Sequence, residues 1–342
     1  MRGPLCWVWV VSCTLGLTAC GSRGPAVGDD DAAIDGDGGG DGSGDAAVMP
    51  FASCVGLPMT CGIGAADSCC DSPEVVGGTY YRSYDVAGAG SMSSPATVSS
   101  FHLDKYEVTV GRFRKFVEAG TGTQATPPPP GAGAHAHIGG SGWNPSWSAR
   151  LVADKAALVA ALKCNTTFQT WTDAPGANEV RPMNCLTWYE AAAFCAWDGG
   201  YLPTEAEWNY AATGGDRQSA YPWSTLTLDG SHASYLEGTD CRGDGMAGCG
   251  LTDLVTVGSK PAGDGRWGQS ELAGNVAEWT LDSITLYTNP CSDCAHLTDA
   301  GDRVVRGGSF GQTAFNLRTG NRSSGAPMDR SHSVGVRCAR VP

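Results

Sequence analysis

The sequence predicts a fold of short helices and short strands, separated by irregular segments that disulfides hold in place. Two helix starts are well defined, because Thr187-Trp-Tyr-Glu190 and Thr204-Glu-Ala-Glu207 are capping boxes. In a capping box the threonine oxygen accepts from the backbone N–H of the glutamate, whose carboxylate accepts from the N–H of the threonine. Fifteen cysteines are present, and the twelve after residue 50 are an even number. In an exported chain an even count indicates a disulfide framework.

The N-terminus predicts export. Arg2 precedes an apolar run from Leu5 to Leu17, which is too short to span a bilayer and typical of a signal peptide. The residues Leu-Thr-Ala-Cys ending at Cys20 resemble the lipobox of bacterial lipoproteins, in which the cysteine is acylated. We therefore expect a lipoprotein signal peptide at 1–19 and a lipid anchor that holds the protein in the cell envelope, at the outer membrane. The alternative is an ordinary secretory signal.

Residues 20–50 predict a disordered tether, because they are rich in Asp and Gly and contain almost no apolar side chains. Calcium binding by this run is the alternative, but the spacing of an EF-hand and its final Glu are absent. The formal net charge of −13 argues against nucleic acid as a partner. Membrane attachment is therefore expected from the lipid alone.

A cysteine-rich lead-in at 51–74 opens the body of the chain, and the pairing of its cysteines (Cys54, Cys61, Cys69 and Cys70) is open. Strands are predicted at 79–81 and 101–103. Thr109 is expected to cap the first helix, and a second helix is predicted at 153–163. The aromatic residues on and beside the two capped helices are expected to be core rather than a ligand stack.

Two other segments are less regular. His135 and His137 lie in a Pro- and Gly-rich insertion at 127–142, where solvated side chains are expected rather than metal ligands. From Trp223 to Leu272 the chain is rich in Gly, Asp and Ser and predicts ordered loops. Irregular backbone on this scale usually needs disulfides or bound cations.

Several motifs occur in the order found in the formylglycine-generating enzyme (sulfatase-modifying factor) family, which this chain resembles over residues 75–341. They are Tyr106-Glu-Val-Thr109, Leu202-Pro-Thr-Glu-Ala-Glu-Trp208, Gly274-Asn-Val-Ala-Glu-Trp279, Arg306-Gly-Gly-Ser-Phe310 and Val336-Arg-Cys338. Several ordered motifs make a family assignment stronger than any one of them. The resemblance implies a compact, low-regularity α+β fold related to C-type lectins, in a domain at 75–342.

The resemblance also implies disulfides and a metal. It implies a disulfide between Cys195 and Cys338. Cys164 and Cys185 flank an insertion and are expected to pair. Cys241 and Cys249 are also assigned to disulfides. Cys291 and Cys294 are better explained as a local bridge than as a redox or zinc motif. A structural calcium is implied at an oxygen set suited to a hard cation: Glu271, Gly274, Val276 and Glu278. An ion-paired Glu278 is the alternative, and a second calcium would fall near Ser234, Tyr235 and Asp253, where the match is poor.

The active oxidases of this family bind copper(I) through two cysteines just after the Gly-Gly-Ser turn, since thiolates suit this soft metal. In this chain Gln312 stands at the first position and Asn316 or Leu317 at the second. Copper is therefore not expected, and no catalytic residue is assigned.

The function expected from these residues is that of a calcium-stabilised binding or accessory protein. Its cleft would bind a peptide or a glycan with a polar set of side chains: Ser309, Gln312, Asn316, Arg318 and Arg322. The alternative is an enzyme, either a formylglycine-generating oxidase that works without the usual cysteines or another activity on the same fold, because a fold does not fix a function.

Overall fold

The described part of the chain, residues 51–58, 60–88 and 90–342 of a computed structural model, contains four α-helices and twelve short strands. The helices are α1 (Val110–Ala119), α2 (Lys155–Ala161), α3 (Trp188–Trp197) and α4 (Glu205–Thr213). The strands are β1 (Glu74–Val75), β2 (Gly78–Tyr81), β3 (Pro95–Val98), β4 (Phe101–Leu103), β5 (Leu236–Glu237), β6 (Asp240–Cys241), β7 (Ala277–Ser283), β8 (Cys291–Ser292), β9 (Arg303–Arg306), β10 (Ser323–Gly325), β11 (Val334–Gly335) and β12 (Ala339–Arg340). The predicted signal peptide, Cys20 and the tether lie outside the described residues. Across those ranges, no helix has both the length and the apolar character needed to cross a membrane.

The helices begin where side-chain caps satisfy their first N–H groups. Both capping boxes are present at α3 and α4, and Thr109 accepts from the N–H of Arg112 at 3.2 Å at the start of α1. Helix α2 begins two residues later than predicted, because the Asp154 carboxylate accepts from the N–H of Ala157 and makes Asp154 the N-cap. The local helix predictions are therefore confirmed, with both ends of α2 corrected, since this helix also ends two residues before the predicted 163.

The strands form small sheets, and the largest positions the candidate site. Its strand order is β10-β9-β7-β11, with β9 antiparallel to both neighbours and β11 parallel to β7. Strand β12 pairs with β4, which brings the chain end back to the beginning of the domain. This arrangement, with helices and mostly antiparallel strands in separate regions, is the α+β class expected from the resemblance.

Aromatic side chains fill the core between α1 and α3. Phe113 and Phe194 stack with ring centroids 5.4 Å apart, and Phe116 packs edge-on against Trp197 at 5.4 Å. Trp188 is fully buried in the same cluster. The prediction that the aromatic residues on and beside the two capped helices are core rather than a ligand stack is confirmed, since Trp188, Trp208 and Tyr210 are buried in apolar clusters.

The expectation of a solvated His135 is wrong. Its side chain is buried, and Nε2 lies 3.1 Å from Oε1 of Glu207, which also accepts from the Tyr201 hydroxyl at 2.9 Å. Burial by itself lowers the pKa of His135, but the hydrogen bond and the charge of Glu207 give a net increase. His137, in contrast, is exposed. The insertion is thus fixed to the capping box of α4, a contact that the glycine-rich sequence does not indicate.

Candidate functional site

A cleft of about 300 Å³ lies over one face of the sheet β10-β9-β7-β11. Ala277 and Trp279 of β7 and Val305 of β9 face the cleft, because alternate side chains of a strand point to the same side. The opposite face carries Glu278, which is buried. The sheet therefore has an open cleft on one face and the buried carboxylate of Glu278, which pairs with Arg337, on the other.

The lining of the cleft combines polar and apolar surface and is almost uncharged. Its polar side chains are amides and hydroxyls, together with a carboxylate: Gln312, Asn316, Asn321, Ser323, Ser324, Ser331, Ser333 and Asp329. Within the described residues, Asp329 is the one ionisable group of the lining, and its side chain is exposed. Such a surface offers many hydrogen-bond donors and acceptors and little net charge.

The residues considered for the two copper-cysteine positions of the family lie in different surroundings. Gln312 lines the cleft, as does Asn316, whereas Leu317 is fully buried in an apolar cluster. Ser309 is also buried, and its hydroxyl donates to Oε1 of Gln312 at 3.4 Å. Ser309 therefore supports the wall of the cleft from behind and does not present its hydroxyl to a ligand.

The two arginines predicted for the cleft lie outside its lining. Arg318 forms an ion pair with the buried carboxylate of Asp85. Arg322 donates to the carbonyl of Thr285 at 2.7 Å and lies 4.1 Å from the ring centroid of Tyr287. Partners that are far away in the sequence thus draw both guanidinium groups away from the cleft, and the predicted set is corrected at these two positions.

Each cysteine of the described residues is in a disulfide. The six bridges are Cys54–Cys70, Cys61–Cys69, Cys164–Cys185, Cys195–Cys338, Cys241–Cys249 and Cys291–Cys294. The expected pairings are confirmed. In the lead-in, where the sequence left the pairing open, the Cys61–Cys69 bridge lies within the loop that the Cys54–Cys70 bridge closes. Residues 51–58, 60–88 and 90–342 therefore contain no free thiol that could bind copper(I).

Glu278, the last of the predicted calcium ligands, is ion-paired. Its carboxylate accepts from Arg337 at 2.7 Å and from the indole N–H of Trp208 at 2.7 Å. All three side chains are buried. The alternative considered from the sequence, an ion-paired glutamate, therefore describes this residue.

Two further carboxylates lie near this pair. Glu271 accepts from the N–H of Gly258 at 2.9 and 3.0 Å, and burial raises its pKa to about 7. Glu107 accepts from the side-chain amide of Asn275 at 2.6 Å and from the N–H of Val276 at 3.0 Å. Burial raises the pKa of Glu107 well above its usual range, and the charges of Glu271 and Glu278 add to the increase. Three carboxylates thus share one buried region with the Arg337 guanidinium.

Glu107 was not among the predicted site residues. The available signal was its position in Tyr106-Glu-Val-Thr109, one of the motifs of the resemblance, which placed it in the domain but not beside Glu271 and Glu278. In the described ranges, no group of three or more His, Cys, Asp or Glu side chains is arranged to hold a metal. The backbone carbonyls of Gly274 and Val276 would therefore have to complete any oxygen shell here.

Comparison with known proteins identifies the family. The profile of the sulfatase-modifying factor enzyme 1-like domain matches residues 67–342. The chain belongs to this family. The inactive C-alpha-formylglycine-generating enzyme 2 of Bos taurus is 32% identical over 254 residues, which cover 71% of this chain and 78% of that protein. The formylglycine-generating enzyme of Mus musculus is 28% identical over 265 residues, 71% of this chain and 66% of the mouse protein.

Other family relatives have different names. The hercynine oxygenase of Mycolicibacterium smegmatis is 28% identical over 261 residues, 71% of this chain and 53% of that protein. Among solved structures, PvdO from Pseudomonas aeruginosa superposes with a TM-score of 0.54 at 20% identity, covering 80% of this chain and 95% of PvdO. The family therefore includes proteins named as enzymes and proteins named as inactive, and the PvdO likeness supports the fold alone.

Proposed function

We propose that this chain is a binding or accessory protein of the sulfatase-modifying factor family whose cleft holds an uncharged, polar peptide or glycan. One observation carries the proposal. The copper-cysteine positions of the family are occupied by Gln312 and Asn316 or Leu317, and every cysteine of the described residues is in a disulfide. The chain therefore has two amides, or an amide and a leucine, at the positions where thiol chemistry would require thiolates.

The charge of the lining narrows the ligand class. An anionic ligand, such as a sulfated glycan or a phosphopeptide, would need the arginine partners that recognise planar anions. Arg318 and Arg322 instead bind Asp85 and the Thr285 carbonyl. The amides and serines of the cleft match the hydroxyls and amides of a neutral ligand.

The binding proposal is tested by filling the cleft. Ser323 is exposed and lines the cleft on β10, so Ser323→Trp should block it without disturbing the core. The protein would be screened on arrays of neutral oligosaccharides, sulfated oligosaccharides and peptides. We expect binding to a neutral probe that Ser323→Trp weakens at least about 10-fold and that the control Ser91→Trp, at an exposed position, leaves unchanged. Binding confined to sulfated probes, or insensitive to Ser323→Trp, would contradict the proposal.

The enzyme alternative has its own assay. The protein without its export signal is incubated with copper(I), oxygen and a peptide. The peptide contains Cys-x-Pro-x-Arg, the sulfatase motif on which the active oxidases act. We expect no change in peptide mass beyond a metal-free blank. Conversion of the peptide cysteine to formylglycine would replace the binding proposal with an oxidase that works without the usual thiols.

The calcium proposal rests on the buried carboxylates. Glu107 and Glu271 are buried beside the Glu278–Arg337 pair, and burial raises the pKa of both. A divalent cation would favour their ionised forms. The residues that would hold calcium are Glu271 and Glu107, with backbone carbonyls of the Gly274–Val276 turn. Glu278 contributes less than the sequence suggests, since Arg337 and Trp208 already bind its oxygens.

Chelation tests this site. EGTA should lower the melting temperature of the protein, and Glu271→Gln should remove most of that sensitivity, because it deletes a carboxylate that favours the cation. Glu237→Gln is the matched control, since Glu237 is exposed and pairs with Arg242 at 2.6 Å. Equal melting temperatures with and without EGTA would rule out a structural calcium.

The lipid anchor is proposed from the sequence. Six disulfides in the described residues agree with an oxidising compartment, and the lipobox cysteine is Cys20. In a bacterial host, Cys20→Ser should move the protein from the membrane fraction to the soluble fraction and abolish labelling by a fatty acid. Unchanged labelling would place the anchor elsewhere.

A further inference from the structure

A lysine ammonium group joins two loops in the irregular region before the GNVAEW turn. Nζ of Lys260 donates to the backbone carbonyl oxygens of Gly230, of Arg242 at 3.2 Å and of Gly243 at 3.0 Å. These carbonyls use all three donors of the ammonium group. A convergent set of carbonyl oxygens is also the donor set that hard cations prefer.

Acidic groups lie near this set of carbonyls, which we name the Lys260 cage: Asp253 and Glu271 are buried, whereas Asp229 and Asp244 are exposed. The carboxylate of Asp253, which is buried, accepts from the N–H groups of Gly243 at 3.0 Å and Asp244 at 3.2 Å. Burial lowers the pKa of Lys260, while the negative charges of Glu271 and Asp253 oppose that effect. The carbonyl oxygens and these two carboxylates thus attract the ammonium charge, although burial lowers the pKa of Lys260 on balance.

The segment around the cage has little regular structure, although backbone hydrogen bonds also join it to Asn275 and Gln312. Between Asp229 and Gly250 it contains the two-residue strands β5 and β6 and the Cys241–Cys249 disulfide. The backbone is close-packed at the cage, since a Cβ on Gly243 would lie 2.4 Å from Cα of Asp253. In this segment the Cys241–Cys249 disulfide and the Lys260 ammonium therefore add cross-links where regular structure is sparse.

The family resemblance places a second calcium in this neighbourhood, and the residues present do not fit one. The hydroxyl of Ser234 donates to the carbonyl of Asp253 at 2.6 Å. The carbonyl of Tyr235 accepts from the N–H of Arg242 at 2.7 Å. The Asp253 carboxylate, in turn, accepts from backbone N–H groups, so the oxygens expected to bind calcium already have protein partners.

We propose that the Lys260 ammonium is the resident cation of this cage, so that the Asp229–Gly250 segment is held by a tethered charge in place of a metal ion. The Lys260 cage then differs in kind from the carboxylate region around Glu271. Loss of the lysine charge should make this segment dependent on an added cation.

The first test removes the charge. Lys260→Met keeps the apolar stem and deletes the ammonium, which leaves three backbone carbonyls without their donor. We expect its melting temperature to fall by more than about 2 °C, the shift that a loss near 1 kcal/mol causes in a domain of this size class. Lys163→Met is the matched control, because Lys163 forms an exposed pair with Asp173 at 2.6 Å, and its melting temperature should stay near that of the parent.

The second test restores a cation. Lys260→Ala leaves room in the cage, and the variant is heated in NH4Cl, KCl, CaCl2 or tetramethylammonium chloride at equal ionic strength. We expect ammonium or calcium to recover at least half of the lost melting temperature, beyond any shift of the parent protein in the same salt. Tetramethylammonium, which cannot donate to the carbonyls, should not. A Lys260→Met variant as stable as Lys163→Met, or a loss that no cation recovers, would overturn the proposal.

Discussion

The two faces of the sheet β10-β9-β7-β11 differ in what their polar side chains do. Behind the sheet, Glu278 is buried and bonded to both Arg337 and Trp208. In the cleft, Gln312 and Asn316 are partly exposed and serve no comparable network. Charged groups behind the sheet therefore hold the fold, and the amides in front of it are available for a ligand. We therefore expect substitutions on the buried face to cost more stability than substitutions of the polar side chains that line the cleft.

The largest effect is expected behind the sheet, at Arg337. Arg337→Met leaves Glu278 buried without its counter-ion and removes the donors to the carbonyls of Asp104 and Ser270. Breaking a buried pair by removing one partner costs about 3–5 kcal/mol. Urea unfolding should show a loss of this size.

The matched control for Arg337 is the exposed pair of Arg242 with Glu237, whose nitrogen and oxygen are 2.6 Å apart. Arg242→Met should cost less than about 1 kcal/mol, because solvent screens surface pairs. Similar losses in the two variants would mean that the buried pair has no special role, and the contrast between the two faces would fail.

A smaller, pH-dependent effect is expected at Asp282 on the same strand. Its oxygens accept from the backbone N–H groups of Glu205 and His296, each at 2.7 Å, and burial raises its pKa to about 7. The pKa in the unfolded chain is about 3.9. Between these values the folded state holds a proton that the unfolded state has lost, so the free energy of unfolding falls as the pH rises from about 4 to about 7.

Asp282→Asn cannot titrate and isolates this contribution from those of Glu107 and Glu271. Between about pH 4 and about pH 7 the free energy of unfolding of the variant should fall less steeply with pH than that of the parent protein. The difference in slope should be up to about 1.4 kcal/mol per pH unit, the value for one proton. The measurement is urea unfolding of both proteins at several pH values. Parallel pH profiles would show that Asp282 is ionised in the folded protein.

The sequence predicts those features of the fold that depend on residues close together in the chain. The capping boxes at Thr187 and Thr204 link residues three apart, so their pattern is visible without a structure. The Cys195–Cys338 bridge spans 143 residues and could be predicted through the family resemblance. Contacts of that range without a family motif, such as Arg318 with Asp85, leave no pattern in the sequence. Local patterns and family motifs therefore predicted the helices, the disulfides and two cleft residues, Gln312 and Asn316. They did not predict that Ser309, Arg318 and Arg322 lie outside the lining.

The burial of His135 illustrates the same limit. Its neighbours in the sequence are Gly and Ala, which suggest a solvated loop, and its partner Glu207 is 72 residues away. Glu207 was predicted only as the third helical residue of a capping box. The structure shows that its carboxylate also accepts from Tyr201 and contacts His135. The capping-box pattern thus identified Glu207 as a cap of α4 but gave no sign of its contacts with Tyr201 and His135.

The smallest effect on stability is expected in the cleft, and two adjacent residues provide the comparison. Asn316 lines the cleft, and its side chain accepts one bond, from the hydroxyl of Thr313 at 3.3 Å. Leu317 is fully buried against Tyr221 and Tyr235. Asn316→Ala should cost less than about 1 kcal/mol, since the surrounding side chains are open to solvent. Leu317→Ala should cost about 2–5 kcal/mol, because it leaves a cavity in the core.

Urea unfolding of the two single variants measures whether a polar side chain of the cleft contributes as much to stability as a core side chain. A loss at Asn316 as large as that at Leu317 would show that the amide supports the fold, and the binding proposal would then lose its argument from available side chains. The expected small loss leaves the amide free to act on a ligand. In that case Asn316→Ala should weaken the neutral probe found by the array screen while the melting temperature stays within about 2 °C of the parent.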